Sequence, residues 1–104
     1  MIFCYNRHVK ILSIVEARVN EAQWKTLREG YEKVDRQSLP TSLINSCLVQ
    51  DIKEPELWRI VTIWESLEAM SEYRKSVDTP AWILVFEAAN VTPDLIINTI
   101  EIEK

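Results

Sequence analysis

The 104-residue chain has a single glycine, Gly30. A dinucleotide fingerprint or a phosphate-cradling loop needs several glycines at fixed spacing, so neither can be written here. One histidine, His8, cannot supply a histidine-rich zinc site, and a Ser-His-Asp relay would have to be assembled around it. The two cysteines, Cys4 and Cys47, are too few for a disulfide framework and too far apart for a C-x-x-C pair. They are expected to be free, buried thiols that pack as small hydrophobes. Basic excess is missing too: 12 Lys and Arg stand against 16 Asp and Glu, scattered rather than striped, which gives a nucleic-acid backbone nothing to hold. The longest nearly uncharged run, "AWILVFEAANV" at residues 81–91, is broken by Glu87 and is about half of what a membrane span needs. The opening "MIFCYNRH" lacks the basic start, apolar middle and small-residue cleavage site of a signal peptide. A cytoplasmic protein with neither nucleic acid nor membrane as partner is the expectation.

What is present suits one domain, residues 1–104, with 1–7 as an N-terminal arm: 47% hydrophobic and 27% charged residues on a chain of this length. A chain this short hides only about two thirds of the surface its unfolded form exposes, so a second copy covering leftover apolar area would help it. From His8 to Val19 the sequence alternates, with Val9, Ile11, Ser13, Val15 and Ala17 on one face, which predicts a strand. Asn20 then reads as a helix cap with Gln23 three residues on. Trp24, Leu27, Tyr31 and Val34 form a helical stripe carried to about Gln37, with Gly30 inside it. After Pro40, "TSLINSCLVQDI" and "LWRIVTIW" read as two strands joined by the turn "KEPE" into a hairpin. On the second, Trp58, Ile60, Thr62 and Trp64 share one face, though alternation alone does not say which face meets the helices.

Ser66 reads as the cap of a second helix, with Glu68 in its first turn and Arg74 and Lys75 near its end, as the helix dipole favours. Pro80 restarts a helix that is apolar nearly all round, and "DLIINTIEIE" closes the chain as a strand. The order predicts an α+β, ferredoxin-like βαββαβ fold: a four-stranded antiparallel sheet with its helices on one face. The other face, rich in Ile, Leu and Val, would be a large bare patch unless two sheets pair face to face.

The stretch "RIVTIWESLEAMSEYRKS", preceded by "QDIKEPE" and followed by "TPAWILVFEA", resembles the antibiotic biosynthesis monooxygenase family of dimeric α/β barrels, and the resemblance spans residues 9–103. That family includes cofactor-independent oxygenases of anthrones and quinols, haem-degrading enzymes, and members with no established activity. The haem-degrading branch has an asparagine near the end of the first strand, an aromatic in the second helix and a ligating histidine after it. Here those positions hold Ala17, Tyr73 and no histidine, so haem is not expected. The cofactor-independent branch implies a substrate that supplies its own electrons, with no cofactor and no metal. Its protein must bind a flat aromatic, help remove a proton and exclude water.

The resemblance marks Trp64 and Tyr73 as candidate catalytic residues, with Asn45, Trp82, Phe86 and Trp24 as candidate walls of an aromatic slot between sheet and helices. Each has a plainer alternative. Trp64 can be packing at a strand end, Tyr73 a half-buried tyrosine, and Trp82 and Phe86, four apart, core or dimer interface. Trp24 with Trp82, Phe86 and Met70 can also fill the slot outright. Asn45 contacts substrate or hydrogen-bonds within the sheet. Glu16 and Arg18 are expected in ion pairs near the dimer seam, with a carboxylate clamp as the second role of Arg18. Asp51, Glu54 and Glu56 are read as solvated rather than cation-binding. Two functions follow: a homodimeric monooxygenase for a small aromatic or quinol-like metabolite, or a non-catalytic ligand-binding or stress-associated dimer of the same fold.

Overall fold

A computed structural model describes residues 9–101 of the chain; His8, Cys4 and the N-terminal arm lie outside them. Strand β1 spans Val9–Arg18, helix α1 Trp24–Glu32, β2 Leu43–Gln50, β3 Leu57–Trp64, α2 Leu67–Ser76, α3 Ala81–Ala88 and β4 Asp94–Glu101. The sheet runs β2-β3-β1-β4 with every neighbouring pair antiparallel. This is the ferredoxin-like arrangement that the alternation and helical stripes predict.

The parity left open by the sequence is settled by burial. Trp58, Ile60, Thr62 and Trp64 of β3 and Ile11, Ser13 and Val15 of β1 are all buried under the helices. The main core joins Val15, Val19, Leu27, Trp58, Ile60, Trp82, Val85 and Phe86, so the two central strands pack against the α1–α3 pair. The opposite face carries Leu12, Ile14, Val61, Ile63 and Ile96, none of them buried. Cys47 shares that face and is exposed, which corrects the expected buried thiol: its register partner Val61 faces away from the helices.

Several local devices set the boundaries. Asn20 Oδ1 accepts from the Ala22 N–H at 3.0 Å and opens a short 3-10 turn that leads into α1. The first helix stops at Glu32 rather than near Gln37. Asp35 takes an extended conformation and its side chain accepts from the Gln37 N–H, capping a separate 3-10 turn at Arg36–Ser38. Ser66 Oγ accepts from Ala69 N–H at 3.1 Å and starts α2. At the far end of α3, Asn90 has a positive φ of 66°. The N–H of Asn90 bonds the Glu87 carbonyl and the N–H of Val91 that of Phe86, a Schellman closure in which asparagine replaces the usual glycine.

Candidate functional site

The end of β3 and the start of α2 are joined by only Glu65 and Ser66, and α2 folds back so that Tyr73 packs on Trp64. Their rings lie 5.5 Å apart at 35°. The indole N–H of Trp64 donates to Ser13 Oγ across the sheet at 3.2 Å, and the ring is buried. The Tyr73 hydroxyl accepts from the Ala81 N–H. A hydroxyl used as acceptor keeps its own proton for donation, so Ser13 and Tyr73 each retain an O–H for a further partner.

Below this pair is a hollow of about 30 Å³ lined by Ser13, Trp64, Met70, Tyr73, Pro80 and Trp82 among others. That is room for a water or a diatomic molecule and too little for an aromatic ring. Tyr73 also borders a separate open cleft of about 350 Å³ with Ser38, Pro40, Ser42, Ala69 and Glu72, and it is the one residue common to both spaces.

Trp64, Tyr73 and Trp82 thus meet at one hollow, while the other proposed slot residues lie elsewhere. Trp24 donates its indole N–H to the Val19 carbonyl at 2.8 Å and stands edge-on to Trp58. Phe86 is fully buried in the main core. Asn45, expected within the slot, is exposed: a β-bulge between Leu43 and Asn45 shifts the register, and its Oδ1 accepts from Ser46 N–H at 2.8 Å. It borders another cleft, of about 300 Å³, with Tyr31, Arg36, Leu39, Leu43 and Ser46. Met70, expected as a filler of the slot, does line the hollow, whereas Ser13 is not singled out by the sequence reading; the signal was available, Ser13 being the one hydroxyl on the apolar face of β1.

Charge gathers on the open sheet face and the hairpin. Arg59 donates to Glu16 at 3.0 Å and to Asp51 at 3.2 Å, and Arg18 pairs with Glu54 at 3.1 Å. The Glu54 N–H, the Arg59 guanidinium and the Lys53 N–H all donate to Asp51 and hold its carboxyl below the usual range. Glu16 first, then Asp51, push Arg59 further up. Two of the three acidic side chains of the hairpin are therefore bound by arginines. Among the described residues no three metal-ligating side chains converge, and no helix is long and apolar enough to cross a membrane.

No family model and no curated protein matches the chain. Solved structures do. A conserved protein from Methanosarcina mazei superposes with a TM-score of 0.70 at 9% identity, over 92% of this chain and 97% of that one. A Bordetella bronchiseptica protein provisionally named an antibiotic biosynthesis monooxygenase gives 0.69 at 21% identity, over 86% and 94%. A Bacteroides thetaiotaomicron protein of unknown function, flagged as a candidate oxidoreductase, gives 0.62 at 14% identity, over 92% and 99%. Identities this low carry the fold, and it is the fold that the sequence resemblance implied.

Proposed function

We propose that the chain is a cofactor-independent monooxygenase that oxidises a small phenol or quinol-like metabolite at the Trp64–Tyr73 junction. The observation that carries this is the hollow itself: a mostly apolar space lined by Trp64, Tyr73 and Trp82, with Ser13, Arg74 and Tyr73 itself as the polar members of the lining. Structural neighbours provisionally named monooxygenases support the same chemistry. The substrate gives up a proton, from an activated methylene carbon or from a hydroquinone O–H, its electrons reduce dioxygen, one oxygen atom enters the substrate as a carbonyl and the other leaves as water with the two hydrogens the substrate loses. The role assigned to the Tyr73 O–H is to hydrogen-bond the substrate oxygen as negative charge builds on it. The substrate enters by displacing the Tyr73 ring, because a hollow of about 30 Å³ admits dioxygen but no ring.

The working unit proposed is a homodimer joined through the open sheet face, where Leu12, Ile14, Val61, Ile63 and Ile96 stand together. Pairing that face removes an apolar patch a lone chain would leave in water.

The small hollow favours a second reading, a non-catalytic dimer whose slot is filled by its own side chains. Oxygen uptake by metal-stripped protein with a panel of phenols, hydroquinones and anthrones separates the two. Uptake that saturates with substrate and falls at least tenfold in both Tyr73→Phe and Trp64→Phe supports the enzyme. Uptake equal to spontaneous oxidation across the panel supports the filled slot.

A further inference from the structure

Outside the hollow, the turn after α1 and the edge strand β2 enclose the cleft of about 300 Å³ bordered by Tyr31, Arg36, Asn45 and Ser46. Its chemistry is one-sided. Among the described residues Arg36 is the only charged one on its lining; the Tyr31 and Ser46 hydroxyls hydrogen-bond each other at 3.1 Å, which leaves one O–H between them, and the Asn45 amide can donate as well. Leu39, Pro40, Leu43 and Ile44 supply an apolar floor.

Arg36 is held in place without an acid. Its guanidinium lies 4.5 Å from the centre of the Tyr31 ring and 5.2 Å from that of Trp82, which themselves stack 5.1 Å apart at 27°. Stacking of this kind fixes the plane of the guanidinium and leaves its N–H edges free to bind. The bonds it makes are long, 3.4 Å to Ser46 Oγ and 3.5 Å to the Tyr31 carbonyl, at the outer limit for N–H donors and readily exchanged for a better acceptor. No carboxylate among the described residues pairs with it. The Asn45 Oδ1 is spent on Ser46 N–H, which leaves the amide's NH₂ as the part that can serve a ligand.

We infer that this cleft is a binding site for a small organic monocarboxylate with an apolar body, its carboxylate on Arg36 and its body on the Leu39–Ile44 floor. Arg36 forks to two oxygens where a lysine would offer a point charge. The apolar floor selects against a bare inorganic anion. The site is separate from the hollow beneath Tyr73 and stands whether or not that hollow is catalytic.

Benzoate is the test probe, titrated into the full chain and followed by NMR through the backbone amides and the Arg36 side-chain N–H. Saturable shifts are expected at Tyr31, Arg36, Asn45 and Ser46, weaker at high salt. Arg36→Met should weaken binding about tenfold, the size expected for losing one charge-assisted pair. Arg36→Lys, which keeps the charge and disturbs the fold least, should fall between the two. Benzyl alcohol, of the same shape without the charge, and inorganic phosphate should each bind at least tenfold more weakly than benzoate. The site is overturned by absence of saturation, by benzyl alcohol or phosphate matching benzoate, or by benzoate binding Arg36→Met as well as it binds the wild type.

Discussion

The hydroxyl of Tyr73 accepts a hydrogen bond from the backbone N–H of Ala81 at 3.1 Å, so a side chain of α2 caps the start of α3. Pro80, at the cap position, makes no side-chain hydrogen bond there. Tyr73→Phe should therefore cost about 1 kcal/mol, as loss of a helix cap does. For a chain of this size that lowers Tm by about 4–8 °C. Urea unfolding with an unchanged slope would check it, and a loss below about 0.3 kcal/mol would show that the contact contributes little.

Gly30 lies inside α1 with no positive φ, and a Cβ built on it would meet only Val85 Cγ1 at 3.8 Å, an ordinary contact. No neighbour needs the space. Gly30→Ala should stabilise the chain by about 0.5–1 kcal/mol through the backbone freedom it removes from the unfolded state. Thermal unfolding reads the gain directly; a lower Tm would mean that the α1–α3 contact cannot give by even a small amount.

Thr62 is fully buried beneath the helices, and its hydroxyl has no hydrogen-bond partner among the described residues. A buried hydroxyl without a partner carries its desolvation cost uncompensated. Thr62→Val keeps the shape and removes that cost, so stability should rise by about 1 kcal/mol. A loss of similar size in chemical unfolding would instead show that the hydroxyl is satisfied in solution.

Asp51 gives the acid limb of stability. Its folded pKa lies below its unfolded one because the Glu54 N–H, Arg59 and the Lys53 N–H favour the charged form. The contribution is therefore present above the unfolded value near 4 and fades as pH falls through the lower folded value. Asp51→Asn should be less stable than the wild type at pH 7, and the difference should shrink as pH falls through the lowered folded value. Parallel stability curves across that range would remove Asp51 as the source.

Ile14 stands at the middle of the open sheet face, opposite Val61 on one side and Ile96 on the other. If two copies pair through that face, Ile14→Lys places two like charges in the seam and should shift the mass measured by light scattering from two chains to one. A wild type that already runs as one chain would end the dimer proposal.

Much of the fold can be read along the chain because period-2 and period-3.6 patterns report local geometry. Trp58, Ile60, Thr62 and Trp64 announce a common face without saying which side of the sheet the helices take. That depends on the handedness of the crossover, a property of the whole unit. The end of α1 is misread because the helical stripe continues in Val34, while Asp35 quietly offers the backbone another partner. Asn45 is misplaced for a different reason: a bulge moves a strand residue by one step, and alternation carries no mark of it. Trp64, Tyr73 and Trp82 can be gathered from the resemblance, yet the 30 Å³ between them cannot, since the space left by three large side chains is decided by rotamers.

Strand β2 is the outermost strand on its side of the sheet, the position from which sheets polymerise when a neighbour's strand adds to the free edge. Two features already described blunt it. The bulge at Leu43/Asn45 breaks the regular spacing a docking strand would have to match, and the Asn45 side-chain Oδ1 occupies the Ser46 N–H. Concentrated samples should therefore resist fibril growth along this edge, and Asn45→Val, which uncovers the amide and adds β propensity, is the substitution that would expose the chain to it.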